Sequence, residues 1–270
     1  METMLRTELS ADQVRRYRRD GFLHYPEFLS RAEVSELKTA VLGAIPKLGR
    51  RKVAGDGADF EEGDDFYDRV FTQRLNLWRI DDVVRSYVTR PELGRMMCEL
   101  EGIKGIRVWH DQALIKEPYA NQTAFHLDVP YWSFFSRQAI SIWIALEDAT
   151  TSNGCLCFVP GSHQLTAGEN AKIGENFGDL MRIYPAIQDI DPIVVPMKAG
   201  DCSFHNALTA HAAGPNMTRG RRIAMTCAYM PEASTFNGRQ SILSERYAAS
   251  LTVGDVLEDE GQNPLVYHMA

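Results

Sequence analysis

The sequence predicts a double-sheet jelly roll, mainly β with helices packed on one face, and three observations predict it. Up to about residue 102, apolar residues recur at helical spacing behind Ser-x-x-Gln and Ser-x-x-Glu starts. After Gly102 the pattern shortens to that of strands, with extended candidates at residues 106–116, 123–129, 139–147, 156–159, 193–196, 201–205 and 222–230. Turn residues separate these runs: Asn153-Gly154, Pro160-Gly161, Ala199-Gly200 and Gly214-Pro215-Asn216. Many short strands after a helical block suit two packed sheets with a helical layer outside. We expect one domain over residues 1–270: a helical layer and acidic loop in 1–102, the jelly-roll core in 103–232, and a C-terminal helix and tail in 233–270.

Taken in order, Ser10 and Gln13 form a capping box opening a helix that ends near Asp20-Gly21, with its arginines on a solvated face. Residues 22–25 read as a short strand. Ser30 and Glu33 form a second box, opening a helix with Val34, Leu37 and Val41 on one face and Pro46 at its end. From 49 to 68 the apolar period disappears and Gly55, Gly57 and Gly63 are mixed with Asp56, Asp59, Glu61, Glu62, Asp64, Asp65 and Asp68. This reads as a mobile loop, either a solvated acidic insertion or a cover over an active site; the ligand order of a calcium loop is missing. Residues 72–78 lead to Thr89-Arg-Pro-Glu92, a third box for a helix reaching Leu100. Residues 166–191 read as a loop with a helical turn near the site mouth, and 243–250 as the last helix before a tail.

A chain of 270 residues with 44% hydrophobic and 24% charged content can bury a large core. A formal charge of −7 argues against a nucleic-acid binder. No segment has the order of a signal peptide or the apolar length to cross a bilayer, so we expect a soluble, cytoplasmic protein with a small-molecule substrate and no nucleic-acid or membrane partner. Cys98, Cys155, Cys157, Cys202 and Cys227 lack a zinc pattern and are expected to be buried free thiols.

The chemistry centres on residues 123–132, Thr-Ala-Phe-His-Leu-Asp-Val-Pro-Tyr-Trp. On a strand, His126 and Asp128 would project from one face. Two histidines and one carboxylate, with positions left open, are the donor set of iron(II) oxygen chemistry. His211, in Thr209-Ala-His-Ala-Ala-Gly-Pro-Asn216, is the best third donor. His205 and His163 read as packing residues, and His110 and Asp111, being adjacent on a strand, make no ligand pair. Tyr131 and Trp132 follow where the chain should bend over the metal, and aromatic walls with polar tips suit a small organic substrate.

The runs Ser141-Ile-Trp-Ile-Ala-Leu-Glu-Asp148, Asn153-Gly-Cys-Leu-Cys-Phe-Val-Pro-Gly-Ser-His163 and His211-Ala-Ala-Gly-Pro-Asn216, with Arg222 eleven residues after the histidine, make the chain resemble the phytanoyl-CoA dioxygenase family of iron(II)/2-oxoglutarate oxygenases. The likeness runs from about Asp12 to the C-terminus and is densest between Trp109 and Tyr229. It implies a double-stranded β-helix, Fe(II) held by His126, Asp128 and His211, and 2-oxoglutarate and O2 as cosubstrates. Relatives that halogenate carry a small residue where Asp128 stands, which implies hydroxylation, desaturation or ring chemistry here. The family offset selects Arg222 for the distal carboxylate, with its neighbour Arg221 as the alternative; a guanidinium suits this because it stays charged and donates two parallel hydrogen bonds. By the same resemblance Thr123, Ser141, Trp143 and Gln73 fall at cosubstrate positions, although Gln73 stands near where some relatives have a lysine and Ala213 where some have a serine. The reading is hydroxylation of an unactivated carbon with release of succinate and CO2. A non-catalytic jelly-roll binding protein and a cupin enzyme that does not use 2-oxoglutarate are the alternatives.

Overall fold

Two of the three capping boxes form in the computed structural model, which describes residues 7–56, 70–171, 173–174 and 176–269. Ser10 and Gln13 bond reciprocally at the start of α1 (Ala11–Asp20), which Gly21 closes at φ 81°. After β1 (Phe22–Tyr25), Ser30 and Glu33 do the same for α2 (Arg31–Ala44). The third box does not form. Thr89 instead closes a helix missed in the sequence, α3 (Asp82–Val88), by donating its hydroxyl back to the Arg85 carbonyl. Pro91 itself starts α4 (Pro91–Glu101), because its fixed φ already suits the first helical turn. Nor are all the α1 arginines solvated: Arg18 donates to the Leu100 and Glu99 carbonyls and caps the end of α4. Residues 57–69 lie outside the described residues, and with them most of the expected acidic loop and its reading as a cover.

The strands are β2 (Thr72–Leu75), β3 (Gly105–Lys116), β4 (Thr123–His126), β5 (Ile140–Ala145), β6 (Leu156–Phe158), β7 (Ile193–Val195), β8 (Cys202–Asn206), β9 (His211–Ala213), β10 (Arg222–Pro231) and β11 (Leu265–His268). The larger sheet has the order β1-β8-β5-β10-β3-β11, with β2 also on β3, and the smaller one the order β4-β9-β6-β7. The pairings are antiparallel, giving the jelly roll the strand pattern predicts. The tail is not irregular, since β11 joins the edge of β3. Between Thr166 and Asp191 the helical turn is α5 (Asp179–Ile183), and the last helix is α6 (Glu245–Ser250). No helix among the described residues is long and apolar enough to cross a membrane.

Alternation along the large sheet separates two environments. Ile140, Ile142 and Ile144 of β5, Phe204 of β8, and Ile223, Met225 and Tyr229 of β10 pack under the helices with Leu37, Val41 and Met96. The residues between them, including Ser141, Trp143, His205, Arg222 and Thr226, face the smaller sheet and line a cavity. One irregularity matters there. Ala228 pairs with His110 but Tyr229 with Val108, so Trp109 is an extra residue in β3. This bulge lets Trp109 and His110 both serve the inner side: Trp109 packs on Trp132 and Phe134, and His110 lines the cavity.

Candidate active site

His126 on β4 and His211 on β9 are cross-strand partners, with ring centroids 4.2 Å apart. Each Nδ1 faces a backbone carbonyl, that of Ala124 at 3.0 Å and that of Thr209 at 2.9 Å. A carbonyl can only accept, so the proton sits on Nδ1 and the Nε2 lone pair points inwards. Both Nε2 atoms lie 3.8 Å from Asp128 Oδ1. One ligand atom from each of the three residues falls within 4.8 Å of the others, a spacing one metal ion can span.

Asp128 reaches this position differently from the strand argument. β4 ends at His126, and Asp128 (φ −82°, ψ −54°) opens a single 3-10 turn over Val129–Tyr131. The turn is pinned by the Asp128 and Val129 amides, which both donate to the Ala207 carbonyl at 2.9 and 3.2 Å. The other carboxylate oxygen, Oδ2, accepts from Ser141 Oγ at 2.9 Å and lies 3.3 Å from His205 Nε2. With Oδ2 tied back, Oδ1 is left to face the two histidines. Sequence reasoning read His205 as a packing residue; its bond to the carboxylate follows from β8 and the turn meeting, which no local spacing reveals.

Electrostatics fit a divalent ion. Burial first, with the neighbouring imidazole His211 adding to it, pushes His126 down to about 4. Burial likewise brings His211 to about 4, although Asp128 opposes it. Burial alone would raise Asp128, but the imidazoles around it, His211 foremost, hold it well below the usual carboxylate range. At neutral pH the cluster is therefore two neutral imidazoles and a carboxylate, the protonation state in which these groups bind metal.

The cluster sits between two chambers. The deeper is lined by Phe71, Leu114, Thr123, Trp143, Leu156 and Arg222 among others. Arg222 is fully buried, and its guanidinium lies 5.2 Å from the Trp143 ring centre. Nη1 donates to the Leu114 carbonyl at 3.2 Å, while Nε and Nη2 have no hydrogen-bond partner among the described residues. Orphaned donors on a buried cation are costly unless an anion completes them. Arg221 points away and pairs at the surface with Glu117 at 2.9 Å. The outer chamber, of about 350 Å³, is lined by Gln73, Leu75, His110, Gln112, Tyr131, Trp132, Ile173, Ser241 and Ile242, and opens beside His126 and Asp128.

The family model for phytanoyl-CoA dioxygenase (PhyH) matches residues 17–224. The chain belongs to the phytanoyl-CoA dioxygenase family. It is an iron- and 2-oxoglutarate-dependent oxygenase. It is 27% identical to methylphosphonate hydroxylase of Gimesia maris over 83% of this chain and 82% of that protein, and 26% identical to the peroxisomal phytanoyl-CoA dioxygenase of Rattus norvegicus over 82% and 68%. Among solved structures it is similar to the non-heme α-ketoglutarate-dependent carbocyclase SnoK from nogalamycin biosynthesis, with a TM-score of 0.80, 29% identity, and coverage of 97% of this chain and 98% of that one. The epimerase SnoN, in complex with Fe3+, α-ketoglutarate and nogalamycin RO, matches with a TM-score of 0.74 and 26% identity over 94% and 97%.

Within this phytanoyl-CoA dioxygenase fold, the residues singled out in the sequence divide between the chambers. Thr123, Ser141, Trp143 and Arg222 line the deep one, with the Ser141 hydroxyl committed to Asp128. Gln73 does not join them. It lies in the outer chamber, bonded to Gln112, and it is Phe71, just before β2, that stands beside the Arg222 guanidinium at 5.6 Å. Trp132 borders both chambers, and Tyr131 borders the outer one with its hydroxyl on the Ala171 carbonyl at 3.0 Å. His110 and Lys116 were missed. The bulge brings in the first, and the second reads in sequence as an ordinary strand-end lysine yet is fully buried.

Proposed function

We propose that this oxygenase hydroxylates an unactivated carbon of a small, uncharged organic molecule, with iron(II) held by His126, Asp128 and His211 and 2-oxoglutarate held against Arg222. One observation carries the reading: the imidazole and carboxylate donors stand at the junction of a chamber ending in an uncompensated arginine and a chamber open to the outside. When bound there, iron and 2-oxoglutarate supply an oxidation by O2, coupled to decarboxylation to succinate, that removes hydrogen from carbon. The chain's own residues do the rest. Ser141 and His205 fix the face that Asp128 presents, the Ala124 and Thr209 carbonyls hold the two imidazoles in one tautomer, and Arg222 with Thr123 and Trp143 orients the cosubstrate.

The substrate class follows from the outer chamber. Apart from Asp128, its described lining residues carry no fixed charge: Gln73, Gln112, Tyr131 and Trp132 are neutral, and burial pushes His110 down to about 4. A phosphonate or a coenzyme A ester needs a cation to replace its hydration, and the described lining supplies none. A neutral molecule with a ring to stack on Trp132 and polar groups for the two glutamines suits it better. Incubation of the iron-loaded protein with 2-oxoglutarate, O2 and a panel of neutral and anionic compounds tests this. Succinate release stimulated by neutral compounds, with 18O from 18O2 in the product, is expected; stimulation confined to the anionic ones would refute it.

The similarity to a carbocyclase over almost the whole of both chains favours a second reading, hydrogen removal followed by ring closure. The same experiment separates them, because a cyclised product retains no oxygen from O2.

A further inference from the structure

Lys116 is the last residue of β3 and the register partner of Arg222, the first residue of β10. Its side chain has no solvent exposure. Nζ donates to the Asn121 carbonyl, lies 3.5 Å from Thr123 Oγ1, and sits 4.6 Å from the Phe71 ring centre, while the Arg222 guanidinium lies 5.6 Å from the same ring. Two cations opposite one another on adjacent strands repel, and in an apolar interior they repel strongly. The groups facing Lys116 do not relieve this. Thr123 and the Asn121 carbonyl are uncharged, the Phe71 ring offers Nζ a cation–π contact but no anion, Gly154 packs on its stem, and burial raises the Cys155 thiol near Arg222. Glu117, next in the chain, turns outwards to Arg221 at 2.9 Å. No described carboxylate forms a salt bridge with Lys116 or Arg222.

We propose that Lys116 is a positioning residue for the cosubstrate, acting with Arg222 and through Thr123 as a two-cation seat for the distal carboxylate of 2-oxoglutarate. This rests on the reading of Arg222 as the primary anchor of that carboxylate. Burial first and the Arg222 charge second lower Lys116 to about 6, so near neutrality and without an anion it is mostly an uncharged amine. A carboxylate brought against the pair restores the ammonium, and the proton comes from solvent. Cosubstrate binding above pH 6 is thereby coupled to proton uptake.

Calorimetry on the anaerobic iron(II) protein tests this with two probes, 2-oxoglutarate and 2-oxobutyrate; the second has the same metal-binding end and no distal carboxylate. Lys116→Met should weaken 2-oxoglutarate by about ten-fold, the equivalent of one unit of pKa coupling, and leave 2-oxobutyrate unchanged. At pH 8, titrations in buffers of different ionisation enthalpy should show more proton uptake with 2-oxoglutarate than with 2-oxobutyrate in the wild type, and no difference in Lys116→Met. Unchanged 2-oxoglutarate affinity in the variant, equal weakening of both probes, or equal proton uptake by the wild type would each overturn the role of Lys116. Arg222→Met distinguishes the underlying reading: if it weakens 2-oxoglutarate while Lys116→Met does not, only Lys116 is wrongly assigned, and if neither does, the Arg222 anchor fails as well.

Discussion

Asp128 has one oxygen engaged by Ser141 and His205 and one aimed at two imidazole lone pairs, so removing it takes away a charge and a donor together. Asp128→Ala or His211→Ala should abolish most iron(II) affinity in calorimetric titration, while thermal unfolding of the metal-free protein shifts little, because the apolar packing under the helices includes neither residue. Iron binding at wild-type strength in both variants would show the cluster to be wrongly chosen. The two neighbouring arginines give a sharper contrast. Arg222 is buried with two unpartnered nitrogens, and Arg221 is exposed with a surface carboxylate. Arg222→Ala should raise the KM for 2-oxoglutarate by about a hundred-fold, consistent with the roughly 3 kcal/mol lost when a buried charged partner is removed. Arg221→Ala should change it by less than about five-fold, the scale of a surface ion pair; a reversed order in steady-state assays would mean that β10 is read one residue out of register.

At the scale of elements, Gly154 shows how a turn supports the deep chamber. It adopts φ 93°, and a Cβ there would lie 2.6 Å from the Gly214 carbonyl oxygen and 2.9 Å from Lys116 Cδ. Gly154→Ala should therefore cost about 2 kcal/mol or more in denaturant unfolding, since both the backbone angle and the space are wrong for a side chain; a loss below about 0.5 kcal/mol would show that the turn adapts. The Asn153-Gly154 turn was legible because its chemistry is local. So were the Ser10 and Ser30 boxes; for Arg222, strand alternation says only that it and Arg221 face opposite ways, and the family resemblance chose between them. His205, Lys116 and His110 were not legible. Each depends on which strands meet: His205 on β8 reaching the turn after β4, Lys116 on its register with Arg222, and His110 on a one-residue bulge that inverts the alternation of β3. Even the pairing of His126 with Asp128 had the right outcome by a different route, since the strand ends between them and a turn held by the Ala207 carbonyl brings the carboxylate back.

Across the whole molecule, the helical layer is tied to the large sheet by a half-buried carboxyl far from the chemistry. Glu101, at the end of α4, accepts a hydrogen bond from the Tyr17 hydroxyl of α1 and another, at 3.0 Å, from the Asn206 amide at the end of β8. Burial raises its pKa from 4.5 to about 7, against the opposing effect of those two bonds. A carboxyl raised in the folded state contributes stability that is fully present below pH 4.5 and is lost as pH rises through about 7, because the unfolded chain releases the proton first. The loss should be of the order of 2 kcal/mol, allowing for partial solvent screening. Lys116 acts in the opposite sense: its folded pKa is lowered from 10.5 to about 6, so the unfolded chain binds more protons between those limits and stability rises with pH there. The raw pH profile also carries Asp111, raised by burial to about 7, and His110, His126 and His211, lowered by burial to about 4, and the Glu101→Gln variant isolates the share of Glu101. Relative to the wild type, Glu101→Gln should gain several degrees in Tm between pH 4.5 and pH 8, because it keeps a neutral partner for Tyr17 and Asn206 and has no proton to lose. A Tm difference that stays constant over that range would mean that Glu101 ionises as readily in the folded protein as in the unfolded chain.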